Sequence, residues 1–63
     1  MVGERINYLA KQKGVTPYRI AKDAKISESY LSELLNSKRS NPSLSILRKI
    51  ASALNVSVEE LIK

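Results

Sequence analysis

Ser27-Glu28-Ser29-Tyr30-Leu31-Ser32-Glu33-Leu34-Leu35-Asn36 is the stretch on which the reading of this 63-residue chain turns. It predicts a short helix whose Ser27 hydroxyl caps the free N–H groups of the first turn. Ile26, just before the cap, and Leu31 stand at the two positions of a hydrophobic staple. Leu31, Leu34 and Leu35 recur at i, i+3 and i+4 and form an inward stripe. Glu28, Ser29, Ser32 and Glu33 are left pointing outward. Their polar heads can donate to or accept from a base edge, so in a basic chain this helix suits the major groove of DNA. It equally suits a solvated face in some other small bundle.

The flanking segments use the same vocabulary. Upstream, Thr16 caps a helix that starts at Pro17, where the missing N–H costs nothing. Val15 and Ile20 are its staple. This helix runs to about residue 24, burying Ile20, Ala21 and Ala24 and exposing Tyr18, Arg19, Lys22 and Asp23. Only Lys25 and Ile26 separate it from the Ser27 cap, so the two helices meet at a fixed, steep angle. A first helix over 3–13 carries Ile6, Leu9 and Ala10 inward, with Arg5, Lys11 and Lys13 on other faces. Gly14 ends it in the left-handed conformation.

Downstream, Ser37-Lys38-Arg39-Ser40-Asn41-Pro42 is the one loop of any length, suited either to a phosphate backbone or to a solvated connection. Ser43 caps a fourth helix with Leu47, Ile50, Ala51 and Leu54 inward, and Asn55 ends it. Ser57 and Glu60 then form a capping box, and Val56 and Leu61 a staple, for a fifth helix from 58 to about 62. The pattern is all-α, five short helices in one domain over 1–63.

Composition narrows the function. A chain this short buries only roughly 60% of its unfolded surface, so the core is thin. With no Cys and no His, neither a disulfide nor a structural zinc site is available to support it. Eleven Lys and Arg against six Asp and Glu give a formal charge of +5. That balance favours a polyanionic partner, nucleic acid before an anionic membrane surface. Three Tyr are the only aromatics, too few for the stacking platforms used on single strands. No stretch approaches the ~20 apolar residues of a membrane span, and no leader with a cleavage site is visible. The expected location is the cytoplasm. The serines sit at caps with no base to activate them, so the chain reads as a non-enzyme without a cofactor.

The whole chain resembles the phage repressor and Cro (XRE) family of helix-turn-helix domains. The pieces that carry the resemblance are Arg5-Ile6, Gly14-Val15-Thr16, Ile20-Ala21, the run from Ile26 to Ser32, and Asn41-Pro42-Ser43-Leu44. Most specific is the run Ile50-Ala51-Ser52-Ala53-Leu54-Asn55-Val56-Ser57-Val58-Glu59-Glu60-Leu61. Ser29-Tyr30-Leu31-Ser32 and Asn41-Pro42-Ser43 are similar to SinR-type repressors, which carry a further multimerisation segment not found in these 63 residues.

The resemblance implies a compact, five-helix, lambda-repressor-like fold with its helix-turn-helix unit at about 17–36. It implies sequence-specific binding of double-stranded DNA by a transcriptional regulator, a repressor by preference, acting as a homodimer. Glu28, Ser29, Ser32 and Glu33 fall where the family reads bases. The two acids predict C·G pairs, because carboxylates accept from the N4 amino group of cytosine. Glu28 equally suits an acid held by the helix dipole. Thr16, Tyr18, Arg19, Lys38, Arg39, Ser40, Asn41 and Ser43 fall where the family touches phosphate. Tyr30 suits either a phosphate or the edge of the core, and Tyr8 either the surface or a dimer contact. The fifth helix, with Val58, Leu61 and Ile62, is the expected dimer or partner surface.

Three departures from the family pattern carry expectations. Lys25 holds a turn position usually given to Gly, Pro17 replaces a bracing Gln, and Ala10 and Leu35 replace an Arg–Glu pair with an apolar contact. The alternative use of the same fold is an antitoxin-like or adaptor module that docks a protein on Val58, Ile62 and Leu44. An anionic-membrane role is disfavoured, because each apolar stripe is needed for the core.

Overall fold

Three seven-residue pieces of this chain are variants of one another, and they make three of its turns. Each begins with alanine: Ala10 to Thr16, Ala21 to Ser27, Ala51 to Ser57. The residue four after the alanine (Gly14, Lys25, Asn55) takes the left-handed conformation, with φ of 67°, 59° and 59°. The next, apolar residue sends its N–H back to the alanine carbonyl: Val15 to Ala10 at 2.9 Å, Ile26 to Ala21 at 3.0 Å, Val56 to Ala51 at 2.9 Å. That is the Schellman closure of a helix C-terminus. The residue after it, Thr16, Ser27 or Ser57, caps the following helix. One apolar residue therefore closes one helix with its backbone N–H and stands at the staple position of the next with its side chain.

The computed structural model describes residues 2–36 and 42–62. They form α1 (Val2–Lys13), α2 (Pro17–Ala24), α3 (Glu28–Leu35), α4 (Leu44–Leu54) and α5 (Val58–Ile62). The expected all-α order and boundaries are thus met, with no strand among the described residues. Helix α2 packs against α3 and α4, while α1 packs against α3, α4 and α5, and α4 and α5 are also in contact. Every helix supplies the core: Ile6, Ile20, Leu31, Leu34, Ile50, Leu54 and Leu61 have essentially no exposed surface. Ala10, Ala21 and Ala51 are also buried, small enough to let the chain turn back over them. Leu35 and Leu47, read as inward, sit half-buried at the margin. No polar side chain is buried among the described residues.

Two contacts were not foreseen. Gly3 lies under the end of α3, where an added Cβ would meet the backbone of Leu34 and Leu35. Arg5 reaches from α1 to α5, its Nε donating to the Glu60 carbonyl at 2.7 Å and its Nη2 meeting Glu60 Oε2 at 3.1 Å. Its guanidinium also lies 5.2 Å from the centre of the Tyr8 ring. Ala10 and Leu35 do belong to the apolar cluster, as expected; an Arg–Glu link exists, but between α1 and α5.

Lys25 is the strained member of the three turns. A side chain at a left-handed position costs roughly 1 kcal/mol or somewhat more, and Gly is free of that cost. Lys25→Gly is expected to raise stability by about 0.5–1 kcal/mol, after its extra unfolded-state entropy is counted. Urea titration followed by circular dichroism would show the midpoint rising; an unchanged midpoint would mean that the lysine turn carries no strain.

Candidate nucleic-acid interface

Helix α3 presents its polar residues in two settings. Glu28, Ser29 and Ser32 are exposed, as their spacing requires. Glu33 is half-buried and engaged in an interaction of its own, so it stands less freely outward than the spacing suggested. Tyr30 is half-buried and packs against the core, placing its ring at the core edge. Ser27 Oγ accepts from the Tyr30 N–H at 3.0 Å, which fixes the first turn of α3.

Glu28, Leu31, Ser32, Leu35 and Asn36 share a groove of about 310 Å³ with Asn7 of α1 and Pro17 of α2. Pro17 therefore stands beside the start of α3 but has no N–H or side-chain donor with which to brace it. Asn7 and Asn36 were not singled out from the sequence. Asn36 is four residues after Ser32, and its Nδ2 donates to Ser32 Oγ at 3.4 Å. The only sequence signal for either is a carboxamide at helical spacing from the polar face of α3 or α1.

The start of α2 offers a second polar region. Thr16 Oγ1 accepts from the Arg19 N–H at 3.2 Å and the Thr16 carbonyl from the Ile20 N–H at 3.1 Å; Pro17 has no N–H, so the Tyr18 N–H is the one that α2's first turn can offer an anion. Thr16, Tyr18 and Arg19 are all exposed. Arg19 is partly committed, since its Nε donates to Asp23 Oδ2 at 3.0 Å along the helix. Both side chains are well solvated, so this pair adds well under about 1 kcal/mol and is readily exchanged for a phosphate. At the start of α4, Ser43 Oγ accepts from the Ile46 N–H at 3.2 Å. Lys38, Arg39, Ser40 and Asn41 lie outside the described residues.

The expected dimer or partner surface needs one correction. Leu61 has no exposed surface and belongs to the core. The staple position after Val56 turns it inward, and the contacts of α5 with α1 and α4 close over it. Ile62, its neighbour, is 56% exposed, Leu44 is 55% exposed, and Val58 is half-buried. Among the described residues no group of side chains could hold a metal ion. No helix there is long and apolar enough to cross a membrane.

Comparison with known proteins adds to this geometry. A family described as helix-turn-helix matches residues 6–61. SinR of Bacillus subtilis (strain 168), an HTH-type transcriptional regulator, is 37% identical over 62 residues, covering 98% of this chain and 56% of SinR. The immunity repressor protein of Bacillus phage phi105 is 38% identical over 61 residues, covering 97% of this chain and 42% of the repressor. The chain therefore spans about half the length of these relatives. Among solved structures, SinR in complex with DNA superposes with a TM-score of 0.94 at 36% identity, with all of both chains covered.

Proposed function

This chain belongs to the helix-turn-helix family, in its repressor and Cro branch, and we propose that it binds duplex DNA sequence-specifically and regulates transcription. The observation that carries the reading is the likeness, over all of this chain, to the solved SinR chain held on DNA, combined with a polar, exposed face on α3. In this reading α3 enters the major groove. Ser29 and Ser32 meet base edges, and Glu28 and Glu33 accept from cytosine amino groups. The start of α2 (Thr16, Tyr18, Arg19), Tyr30, Ser43 and the 38–41 segment hold the phosphates. Two acids and no cation on α3 mean that affinity comes from the surrounding cations, with Lys22, Lys38 and Arg39 joining Arg19. Two copies, paired through Val58 and Ile62 of α5, read half-sites about one helical turn apart, ~34 Å. The whole chain from 1 to 63 acts as one DNA-binding domain, in the cytoplasm with the DNA, and catalyses no reaction.

The first test is selection from a random pool of double-stranded DNA at near-physiological salt. Enrichment of paired, C·G-containing half-sites supports the reading. A folded chain that enriches nothing would sink it and turn attention to a protein partner on Ile62 and Leu44. Salt dependence provides a second, quantitative check. With about six phosphates neutralised, affinity for the selected site should fall about a thousandfold between ~50 and ~200 mM salt. Removing one phosphate contact, by Lys38→Ala or Arg39→Ala, should lower the logarithmic salt slope by about one. A slope near zero is incompatible with the proposed grip.

A further inference from the structure

The DNA-binding reading leaves a group of cations unused. Lys25, Arg48 and Lys49 surround a groove of about 330 Å³ that is completed by Asp23, Ala24 and Ser52. It lies where the C-terminal end of α2 meets the outer side of α4. The groove beside α3 is lined by Pro17, at the opposite end of α2, an eight-residue helix and so about 12 Å away. All three cations are exposed, and none of them forms an ion pair among the described residues. The one acid on the lining, Asp23, is already engaged by Arg19 at 3.0 Å. The groove therefore carries three cations against one carboxylate, a shallow site of net positive charge.

A second observation points the same way. Lys25 keeps its side chain at φ 59°, in a turn whose counterparts are Gly14 and Asn55, both residue types that tolerate this conformation well. Backbone strain retained at one member of a repeated turn is a pointer to use. Here the strained residue is one that places an ammonium group on the groove rim. The Lys25 and Ile26 N–H groups engage the carbonyls of Ala21 and Lys22, two of the four at the end of α2.

We infer that this groove is a docking site for an acidic peptide segment of a partner protein. Carboxylates of the segment pair with Lys25, Arg48 and Lys49, and one of its apolar side chains rests on the aliphatic stems of the cations. Arg48 can grip a carboxylate with two parallel N–H bonds, which sets direction, and the lysines supply point charge. A shallow groove flanked by the aliphatic stems of three cations gives a peptide apolar as well as charged contacts, which the wholly polar backbone of a duplex cannot use. The site stands clear of α3, so an acidic segment and DNA can be held together.

The inference does not depend on the DNA reading and is tested separately from it. The probe is a short synthetic peptide alternating Asp and Leu, titrated into the ¹⁵N-labelled 63-residue chain, with a short DNA duplex titrated in parallel. The expected result is a set of amide shifts centred on residues 23–25, 48, 49 and 52 with the peptide but not with the duplex. Arg48→Glu with Lys49→Glu should weaken the peptide at least about tenfold and leave the duplex bound within a factor of a few. Lys25→Gly, which is expected to stabilise the fold, should also weaken the peptide. That result separates a lost contact from a damaged domain. Peptide shifts that fall on α3 and the start of α2 would overturn the inference. So would duplex shifts on the groove, or peptide binding indifferent to charge reversal at 48 and 49.

Discussion

Gly3→Ala is expected to destabilise the domain, although it replaces the poorest non-proline helix former with the best one inside α1. The new Cβ would lie far inside van der Waals contact of the Leu34 carbonyl oxygen and 3.2 Å from both Cα and the carbonyl oxygen of Leu35. These are backbone atoms, so no rotamer change relieves the overlap. Either the first turn of α1 frays or α1 and α3 separate, and α3 carries the proposed base-reading face. Overpacking of this kind costs typically about 1–3 kcal/mol, against the roughly 1 kcal/mol that helix propensity returns. A net loss of about 1–2 kcal/mol would lower the melting temperature of so small a domain by roughly 4–16 °C. Thermal unfolding by circular dichroism measures it. A raised melting temperature would mean that propensity wins and that the close approach of α1 to α3 is soft. Gly14 makes a useful contrast, because it has open space around its Cβ position and its constraint is the φ of +67° alone.

The contrast between these two glycines also says what the sequence could reveal. Gly14 was legible because its signal is local: a basic last turn, then Gly, then an apolar residue and a hydroxyl cap. The same local grammar exposed all three cap-and-staple starts, and with them the helix boundaries. Gly3 was not legible, since its role lies in a contact with residues 34 and 35 across the core. Arg5 is a similar case, its partner Glu60 lying 55 positions away. On α3, spacing identified Glu28, Ser29 and Ser32 as exposed, but periodicity could not show that Glu33 is half-covered. Nor could it pick out Asn36, which lines the groove beside Ser32 and bonds to it.

Leu61 and Ile62 are adjacent, both apolar and both named for the partner surface in a helix of five residues, yet their substitutions are expected to differ by several kcal/mol. Leu61 is fully enclosed between α5 and the rest of the core. Leu61→Ala removes its transfer energy and leaves a cavity, a loss of about 2–5 kcal/mol. At roughly 0.05–0.15 kcal/mol per residue, a domain of this size holds only about 3–9 kcal/mol in all. The variant should therefore be largely or marginally unfolded at 37 °C, with its helical signal collapsing at low urea. Ile62→Ala removes a side chain that is 56% exposed and should change stability by no more than about 0.5 kcal/mol. Its effect belongs instead to association. If α5 pairs two copies, sedimentation of Ile62→Ala should show weaker dimers while the urea midpoint stays put. Equal destabilisation by both substitutions would mean that Ile62 contributes to the fold itself. A dimer unaffected by Ile62→Ala would move the pairing surface away from the end of α5.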